Sequence, residues 1–262
     1  MELRCDNIQY SIEGSRILNG ISLGVSNNEF HTILGPNGCG KTTFLKTVYR
    51  ITKPDFGTIY LDGKPLDNIS IRKSAQNMAV VAQFNNLNFD CSVLDVVMLG
   101  RTPHLKMMEQ EKKEDYEIAY NALKSVGMYE KRNRSYLSLS GGEKQRVWIS
   151  VALAQKPEML FLDEPTTYLD IQHQIEIMEL VQKLNKETGI GIVMVLHDIS
   201  QALEVSSQVV VIKDGKKYAH GTPQEVITPE MLRDVYGVES RIIPIEGRRC
   251  PIICYDGLCH IN

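Results

Sequence analysis

The chain has 262 residues, 43% of them hydrophobic, with a formal net charge of −3 and a pI of about 6.1. It can bury a sizeable core, in one large domain or in one domain with an insertion, and the lack of long basic runs argues against a nucleic-acid partner. Its apolar runs are much shorter than the ~18 residues that span a bilayer. Because residues 1–6 also lack a signal-peptide core, we expect a cytoplasmic protein with six reduced cysteines.

Short strands open the chain. Residues 2–10, 16–25 and 29–34 are β-prone segments separated by turn signals. Tyr10 lies on the first segment. An aromatic ring on a strand usually packs within a sheet, but its face is also a good platform for an adenine ring.

A glycine-rich loop follows the third segment. It reads Gly-Pro-Asn-Gly-Cys-Gly-Lys-Thr and matches the phosphate-binding pattern Gly-x4-Gly-Lys-[Ser/Thr] at each fixed position, between a strand and a helix. Glycines let backbone N–H groups close around phosphate oxygens, and the helix N-terminus adds donors and partial positive charge. We expect Lys41 to reach the β- and γ-phosphates and Thr42 to bind Mg²⁺. The predicted phosphate-binding residues are Gly35, Pro36, Asn37, Gly38, Cys39, Gly40, Lys41, Thr42 and Thr43.

The middle of the chain changes character. Residues 78–82 predict a buried strand that ends at Gln83, whereas residues 84–155 show helical periodicity, with a charged helix from about 109 to 126. We interpret 84–155 as a helical insertion into an α/β body.

The insertion ends in the sequence Leu-Ser-Gly-Gly-Glu. Ser140 and Glu143 form a capping-box pattern before a helix predicted over 145–155. The glycines Gly141 and Gly142 offer bare backbone N–H groups to an anion. Taken alone, Ser-x-x-Glu is an ordinary helix cap.

Two acids end the next buried strand. The apolar residues 159–162 are followed by Asp163 and Glu164, at the edge where open α/β sheets bind ligands. One acid there can hold Mg²⁺ through water, and a second can activate a water for attack. Paired acids at a strand end are also often only a helix N-cap.

The remaining segments continue the alternation of helices and strands, which predicts a mostly parallel sheet covered on both faces. The predicted elements are a helix over 170–188, a strand over 190–196 that precedes His197, a hairpin over 208–213 and 216–220, two short helices within 222–237, and strands over 241–245 and 251–255.

In this order the motifs resemble those of ATP-binding-cassette (ABC) ATPases, over residues 2–237. The resemblance implies an α/β fold: a P-loop NTPase core with a mostly parallel sheet, an antiparallel β subdomain at the N-terminal side and an inserted α-helical signature subdomain. It implies one ABC ATPase domain over 1–262. Its parts are a nucleotide-binding core at 1–83 and 156–237, the insertion at 84–155 and a tail at 238–262.

The resemblance also implies roles for single residues. The catalytic set is Glu164 as general base with His197, Gln83 and Lys41. The Mg²⁺ set is Thr42, Gln83 and Asp163. Tyr10 resembles the aromatic residue that stacks on adenine. The residues that serve the nucleotide of a partner subunit are Ser140, Gly141, Gly142 and the loop acid Asp170.

The resemblance to ABC ATPases also implies the cofactors, the oligomeric state and the transport role of the chain. ATP and Mg²⁺ are the cofactors, and two copies face head to tail around two ATP molecules. Hydrolysis powers solute import through separate integral-membrane permease subunits, with an extracellular or periplasmic solute-binding protein, and places the chain at the cytoplasmic face of the membrane. A short permease helix is expected in the cleft beside Gln83, against the first part of the insertion.

Two segments resemble a narrower group. Residues 100–105, Gly-Arg-Thr-Pro-His-Leu, and residues 220–228 are similar to segments of importers for ferric siderophores, haem and cobalamin. Two alternatives stay open, a soluble ABC ATPase without a transport role and an importer cassette for a different solute.

The cysteines invite two further hypotheses. Cys39 lies at a helix N-terminus beside Lys41, both of which lower a thiol pKa, so we expect alkylation to block ATP binding. The tail carries a Cys-x3-Cys-x4-Cys-His cluster, which is not a standard zinc pattern. Its members, Cys250, Cys254, Cys259 and His260, are interpreted as free thiols and a histidine, with metal binding as the alternative.

Overall fold

The computed structural model describes residues 1–83, 87, 89–106, 108–248 and 250–259. In this part of the chain the strands are β1 (Glu2–Ile12), β2 (Ser15–Ser26), β3 (Phe30–Leu34), β4 (Phe56–Leu61), β5 (Lys64–Pro65), β6 (Met78–Val81), β7 (Met159–Asp163), β8 (Gly191–Val195), β9 (Gln208–Lys213), β10 (Lys216–Gly221), β11 (Val238–Ile243) and β12 (Ile252–Leu258). The α-helices are α1 (Lys41–Val48), α2 (Ile71–Asn77), α3 (Val93–Met98), α4 (Lys113–Ser125), α5 (Gly141–Ala154), α6 (Ile171–Thr188), α7 (Ile199–Val205), α8 (Pro223–Val226) and α9 (Pro229–Met231).

The central sheet has the strand order β10-β9-β3-β8-β7-β6. Strands β3 and β6 to β9 are parallel, and β10 adds an antiparallel edge through its hairpin with β9. A second, antiparallel sheet has the order β2-β1-β4-β5, and β11 pairs with β12. The predicted fold class is confirmed, with a mostly parallel sheet, an N-terminal antiparallel unit and inserted helices between β6 and β7.

Both faces of the central sheet are covered. Successive side chains of a strand point to opposite faces. Phe30 and Leu34 therefore belong to the core cluster that includes the helices of the insertion together with α6 and α7, whereas Ile33 belongs to the cluster of α1 and the antiparallel sheet. This is why β3, β7 and β8 are buried at every position. The carboxyl ends of the parallel strands meet at one edge, which positions the residues that follow them.

Some boundaries differ from the predictions. Helix α5 begins at Gly141 rather than at 145, because the Ser140 side chain accepts the N–H of Glu143 and is itself the N-cap. Helix α4 begins at Lys113 rather than near 109, because the Glu109 carboxylate accepts the N–H of Lys106 in a turn.

Two helices were not predicted, α2 and α7. Only Ser74 of α2 is buried, so its sequence carries no apolar period for a pattern to detect. The predicted start of the insertion, residue 84, lies outside the described residues, and the division into core, insertion and tail stays a prediction.

Candidate functional site

The phosphate loop connects the buried strand β3 to helix α1. Gly40, the N-cap of α1, has a left-handed backbone and supplies no side-chain acceptor to the first N–H groups of the helix. These donors therefore face the loop, an arrangement that favours an anion. Lys41 is buried, and its Nζ donates to the carbonyl oxygens of Gly35 (2.8 Å) and Pro36 (3.0 Å), which holds the loop closed around the ammonium group.

A depression of about 300 Å³ opens over this loop. Its lining includes Lys41, Thr42, Thr43 and Glu164, and the apolar part of its wall comes from Ile12 and Ile17. These two aliphatic side chains give the depression a surface on which a flat ring could rest. Sequence reasoning missed both residues.

Tyr10, predicted to stack on adenine, is not among the residues that line the depression. It is paired with Leu18 of β2 and packs against the core around α1. The pairing of β1 with β2 shifts register between Tyr10 and Ser11. In the structure Ile12 lines the depression, and the role of Tyr10 stays a prediction.

The ends of three parallel strands bring Gln83, Glu164 and His197 together. Gln83 Nε2 donates to Glu164 Oε2 over 2.5 Å, and His197 Nε2 lies 2.5 Å from Glu164 Oε1. Thr167 Oγ1 also donates to Glu164 Oε2, over 3.3 Å. The Glu164 carboxylate is nearly buried, and each of its oxygens is held from a different strand end. Such a carboxylate is fixed in direction and borders the phosphate-loop depression, as a general base must be.

Glu164 also has an unusual backbone. Its φ is 51°, in the left-handed region, and its N–H donates to the carbonyl oxygen of Val195 (3.2 Å). Non-glycine residues in this region cost energy and cluster at functional sites. The two neighbouring acids have different partners, since Asp163 accepts from Thr42 whereas Glu164 accepts from Gln83.

Thr42 and Asp163 form the second polar pair at this edge. Thr42 Oγ1 donates to Asp163 Oδ1 over 3.1 Å. Burial, and then the nearby Glu164 carboxylate, raise the pKa of Asp163 above its usual value, while the bond from Thr42 lowers it. A buried carboxylate and a hydroxyl beside a phosphate loop are the oxygen donors that Mg²⁺ prefers. These residues therefore fit the predicted cation, together with the amide oxygen of Gln83.

The residues predicted to serve a partner's nucleotide meet at the start of α5. A Cβ atom on Gly142 would lie 2.2 Å from Cδ2 of His173, so only glycine fits against this ring. Asp170 Oδ1 in turn accepts from His173 Nδ1 (2.7 Å) and from its backbone N–H (2.9 Å). His173 thus joins the signature to the loop acid, a role that the sequence did not indicate.

The thiol of Cys39 is not activated. Burial raises its pKa above the usual value, and this effect outweighs the opposing influence of Lys41. The side chain is only 5% exposed. The expectation of a lowered thiol pKa is therefore wrong, because burial outweighs the lysine, whereas the effect of alkylation on ATP binding stays a prediction.

The tail cysteines are not among the residues that line the phosphate-loop depression. Cys250 donates to the carbonyl oxygen of Leu203, and Cys259 lies at 3.5 Å from Glu239 Oε1. Over the described residues, no three His, Cys, Asp or Glu side chains are arranged to hold a metal ion. His260 lies outside that part of the chain.

Comparison with known proteins shows the family to which the chain belongs. The ABC transporter family model matches residues 18–167. The chain belongs to this family and is an ATPase of the ATP-binding-cassette type, coupled to transport. None of its helices, as far as the chain is described, is long and apolar enough to cross a membrane.

Three individual proteins illustrate what the chain is similar to. The chain is 39% identical over 241 residues to the iron(3+)-hydroxamate import ATP-binding protein FhuC of Bacillus subtilis (strain 168), over 92% of this chain and 90% of that protein. It is 36% identical over 233 residues to the ferric enterobactin transport ATP-binding protein FepC of Escherichia coli (strain K12), over 88% and 86%. It also aligns with the ATP-binding cassette MJ0796, solved as a dimer bound to ADP and Pi, with a TM-score of 0.72 and 29% identity, over 84% of this chain and 98% of that one.

Proposed function

We propose that this chain hydrolyses ATP to power the import of a ferric siderophore, or of a related iron chelate, haem or cobalamin, through a separate membrane permease. The observation that carries the catalytic part is the Glu164 carboxylate, held between Gln83 and His197 at the edge of the phosphate-loop depression. The import part is supported by the names of the FhuC and FepC relatives. An importer cassette for a different solute and a soluble, non-transport ABC ATPase are the alternatives.

The residues of the site divide the work. The N–H groups at the start of α1 and the Lys41 ammonium bind the phosphates, and binding draws the ammonium away from the loop carbonyls that it contacts now. Thr42, Asp163 and Gln83 would hold Mg²⁺, which when bound offsets phosphate charge. Glu164 accepts the proton of the attacking water and orients that water. Gln83 and His197 fix the carboxylate in the direction that this step needs.

The acting form is a head-to-tail dimer with a second copy of the chain. Exposed apolar side chains flank the two segments predicted to serve a partner's nucleotide. Leu137 precedes the signature, and Ile171 and Ile175 follow Asp170, with side chains that are 48%, 75% and 53% exposed. Covering such side chains favours association, and the dimer of the similar cassette MJ0796 supports this arrangement.

A groove of about 470 Å³ between α1, α2 and β6 is the proposed site for the permease. Its lining includes Ile51 and Ile71, which are largely exposed, together with Met78, Ala82 and Gln155. The groove leads to Gln83, the residue after Ala82. It lies mainly on the core rather than on the first part of the insertion. A permease helix seated here, with an extracellular or periplasmic binding protein on the other side of the membrane, would place the chain at the cytoplasmic face.

The test compares the parent chain with Glu164→Gln, and with Glu179→Gln as a matched change on the exposed side of α6. We expect Glu164→Gln to lower ATP hydrolysis about 10²- to 10⁴-fold and to accumulate an ATP-bound dimer in size-exclusion chromatography. Glu179→Gln should behave as the parent.

Uptake of an iron(3+)-hydroxamate complex by vesicles that contain the chain and its co-purified permease tests the solute class. Full hydrolysis by Glu164→Gln would contradict the catalytic assignment. If no permease stimulates ATP hydrolysis by the chain, the result would favour a soluble, non-transport ATPase. If hydrolysis is stimulated by the permease but the vesicles take up no iron chelate, the result would favour an importer of a different solute.

A further inference from the structure

The Gly-Arg-Thr-Pro-His segment has no part in the nucleotide site, yet its residues are unusually well connected. It forms a short 3-10 helix, Leu99–His104, directly after α3. A Cβ atom on Gly100 would lie 2.1 Å from the carbonyl oxygen of Val151. Only glycine therefore lets this segment touch the backbone of α5.

One side of the segment holds the C-terminal end of α5. Arg101 Nη1 donates to the carbonyl oxygen of Ala154 (2.6 Å), and a ring nitrogen of His104 lies 2.8 Å from the carbonyl oxygen of Gln155. Helix ends leave such carbonyls without intrahelical partners. Arg101 is itself fixed by Asp115 at 2.9 Å. The last turn of α5 is thus gripped by two side chains of this segment.

The other side of the segment holds helix α2. The Pro103 carbonyl oxygen accepts from Arg72 Nε (2.8 Å) and from Gln76 Nε2 (2.9 Å). Gln155, at the end of α5, also contacts α2 directly. Its Nε2 donates to the carbonyl oxygens of Ala75 and, over 3.0 Å, of Met78. We call residues 100–104 with Arg72 and Gln76 the bracket.

The two helices joined by the bracket belong to different parts of the proposed mechanism. Helix α2 supplies Ile71 and Ala75 to the permease groove and leads through β6 to Gln83. Helix α5 follows the signature N-cap Ser140 and runs for 14 residues, about 21 Å, to the end that Arg101 and His104 contact. A rigid helix carries a displacement of one end to the other.

We propose that the bracket is a coupling device that makes the permease groove and the signature helix move as one body. A shift of a docked permease helix against α2 then displaces the signature and Gln83 together. Arg72, Gln76, Arg101 and His104 are positioning residues in this scheme, because they act through α2 and α5. The inference rests on the proposed function.

The test uses the complex of the chain with the permease that co-purifies from its native membranes, reconstituted in vesicles. The variants are Arg72→Ala, Gln76→Ala and their combination, with Arg72→Lys to restore a donor. Lys73→Ala, on the exposed surface of the same helix, is the matched control. Four quantities are measured for each variant: basal hydrolysis by the isolated chain, stimulation by the permease, permease co-purification yield and Tm.

We expect the double variant to lose stimulation by about fivefold or more, the range of typical coupling energies. Basal hydrolysis, Tm and co-purification should stay near those of the parent. Each single variant should lose less, since one donor to the Pro103 carbonyl remains, and Arg72→Lys should retain more stimulation than Arg72→Ala.

Three results would overturn the inference. Parental stimulation in the double variant would show that the bracket transmits nothing. A parallel fall of Tm and basal hydrolysis would show that it serves stability alone. If the parent chain neither binds a permease nor responds to one, the proposed function fails, and the inference fails with it.

Discussion

Replacing Asp115 by alanine tests the energetics of the buried pair that Asp115 forms with Arg101 of the bracket, and it also removes the bond that the carboxylate accepts from the Lys112 N–H. Arg101 Nε and Asp115 Oδ1 lie 2.9 Å apart, with side chains only 7% and 9% exposed. Loss of the carboxylate leaves the guanidinium buried without its counter-charge, which typically costs about 3–5 kcal/mol. Arg101 keeps its bond to the Ala154 carbonyl, so we expect the lower end, about 3 kcal/mol, from a total stability of about 5–15 kcal/mol.

Urea titration followed by circular dichroism measures this loss. The matched control is Asp256→Ala, which breaks an Arg241–Asp256 pair of similar length in which the arginine is 69% exposed. Exposed pairs contribute about 0–1 kcal/mol. Equal destabilisation by the two variants, or a loss below about 1 kcal/mol for Asp115→Ala, would refute the argument from burial.

The same variant has a defined pH dependence. The Lys112 N–H, and then Arg101, hold the pKa of Asp115 below its usual value. A carboxylate with a lowered pKa stabilises the fold above its unfolded pKa of about 3.9, and this contribution is lost as the pH falls through the folded value. The stability difference between parent and variant should therefore be full at neutral pH and shrink only below about pH 4. A difference that shrinks between pH 8 and 6 would contradict this assignment.

Three further outcomes are expected. Gly142→Ala should abolish the ATP-bound dimer, because the added methyl meets His173, and a second change, His173→Ala, should restore part of it; no restoration would mean that the clash is not the cause. Cys39 should resist N-ethylmaleimide in the folded chain and react only after denaturation, as followed by mass spectrometry. Ile12→Ser should raise the KM for ATP about fivefold, through about 1 kcal/mol of lost apolar contact, whereas Tyr10→Ser, which removes the aromatic ring, should leave the KM unchanged, and the reverse order would restore Tyr10 as the base platform.

The central sheet, and the group of Gln83, Glu164 and His197 at the ends of its strands, could be predicted from the sequence because each of their parts is a local pattern. The phosphate loop, Gln83, the Asp163–Glu164 pair and His197 each follow an apolar strand. Parallel strands end at a common edge, so side chains that are remote in sequence converge there. This convergence is what the structure displays around Glu164.

The unpredicted features depend on surroundings rather than on local pattern. Helix α2 carries no apolar stripe, and its position is set by bonds to Pro103 and Gln155 from other elements. A register shift follows Tyr10 in the pairing of β1 with β2, and Ile12 beyond it lines the depression. No residue-by-residue preference encodes such a shift.

The sequence by itself determined the family, the fold class and the order of the catalytic motifs, because strand and helix periods and the glycine pattern are carried by neighbouring residues. Only the tertiary structure decided the state of Cys39, whose burial outweighs the local helix end and lysine in setting its pKa. The tertiary structure alone also showed that the His173 ring lies against Gly142 and that the bracket joins α2 to α5. Desolvation and packing are sums over distant parts of the chain, and they exist only once those parts have come together.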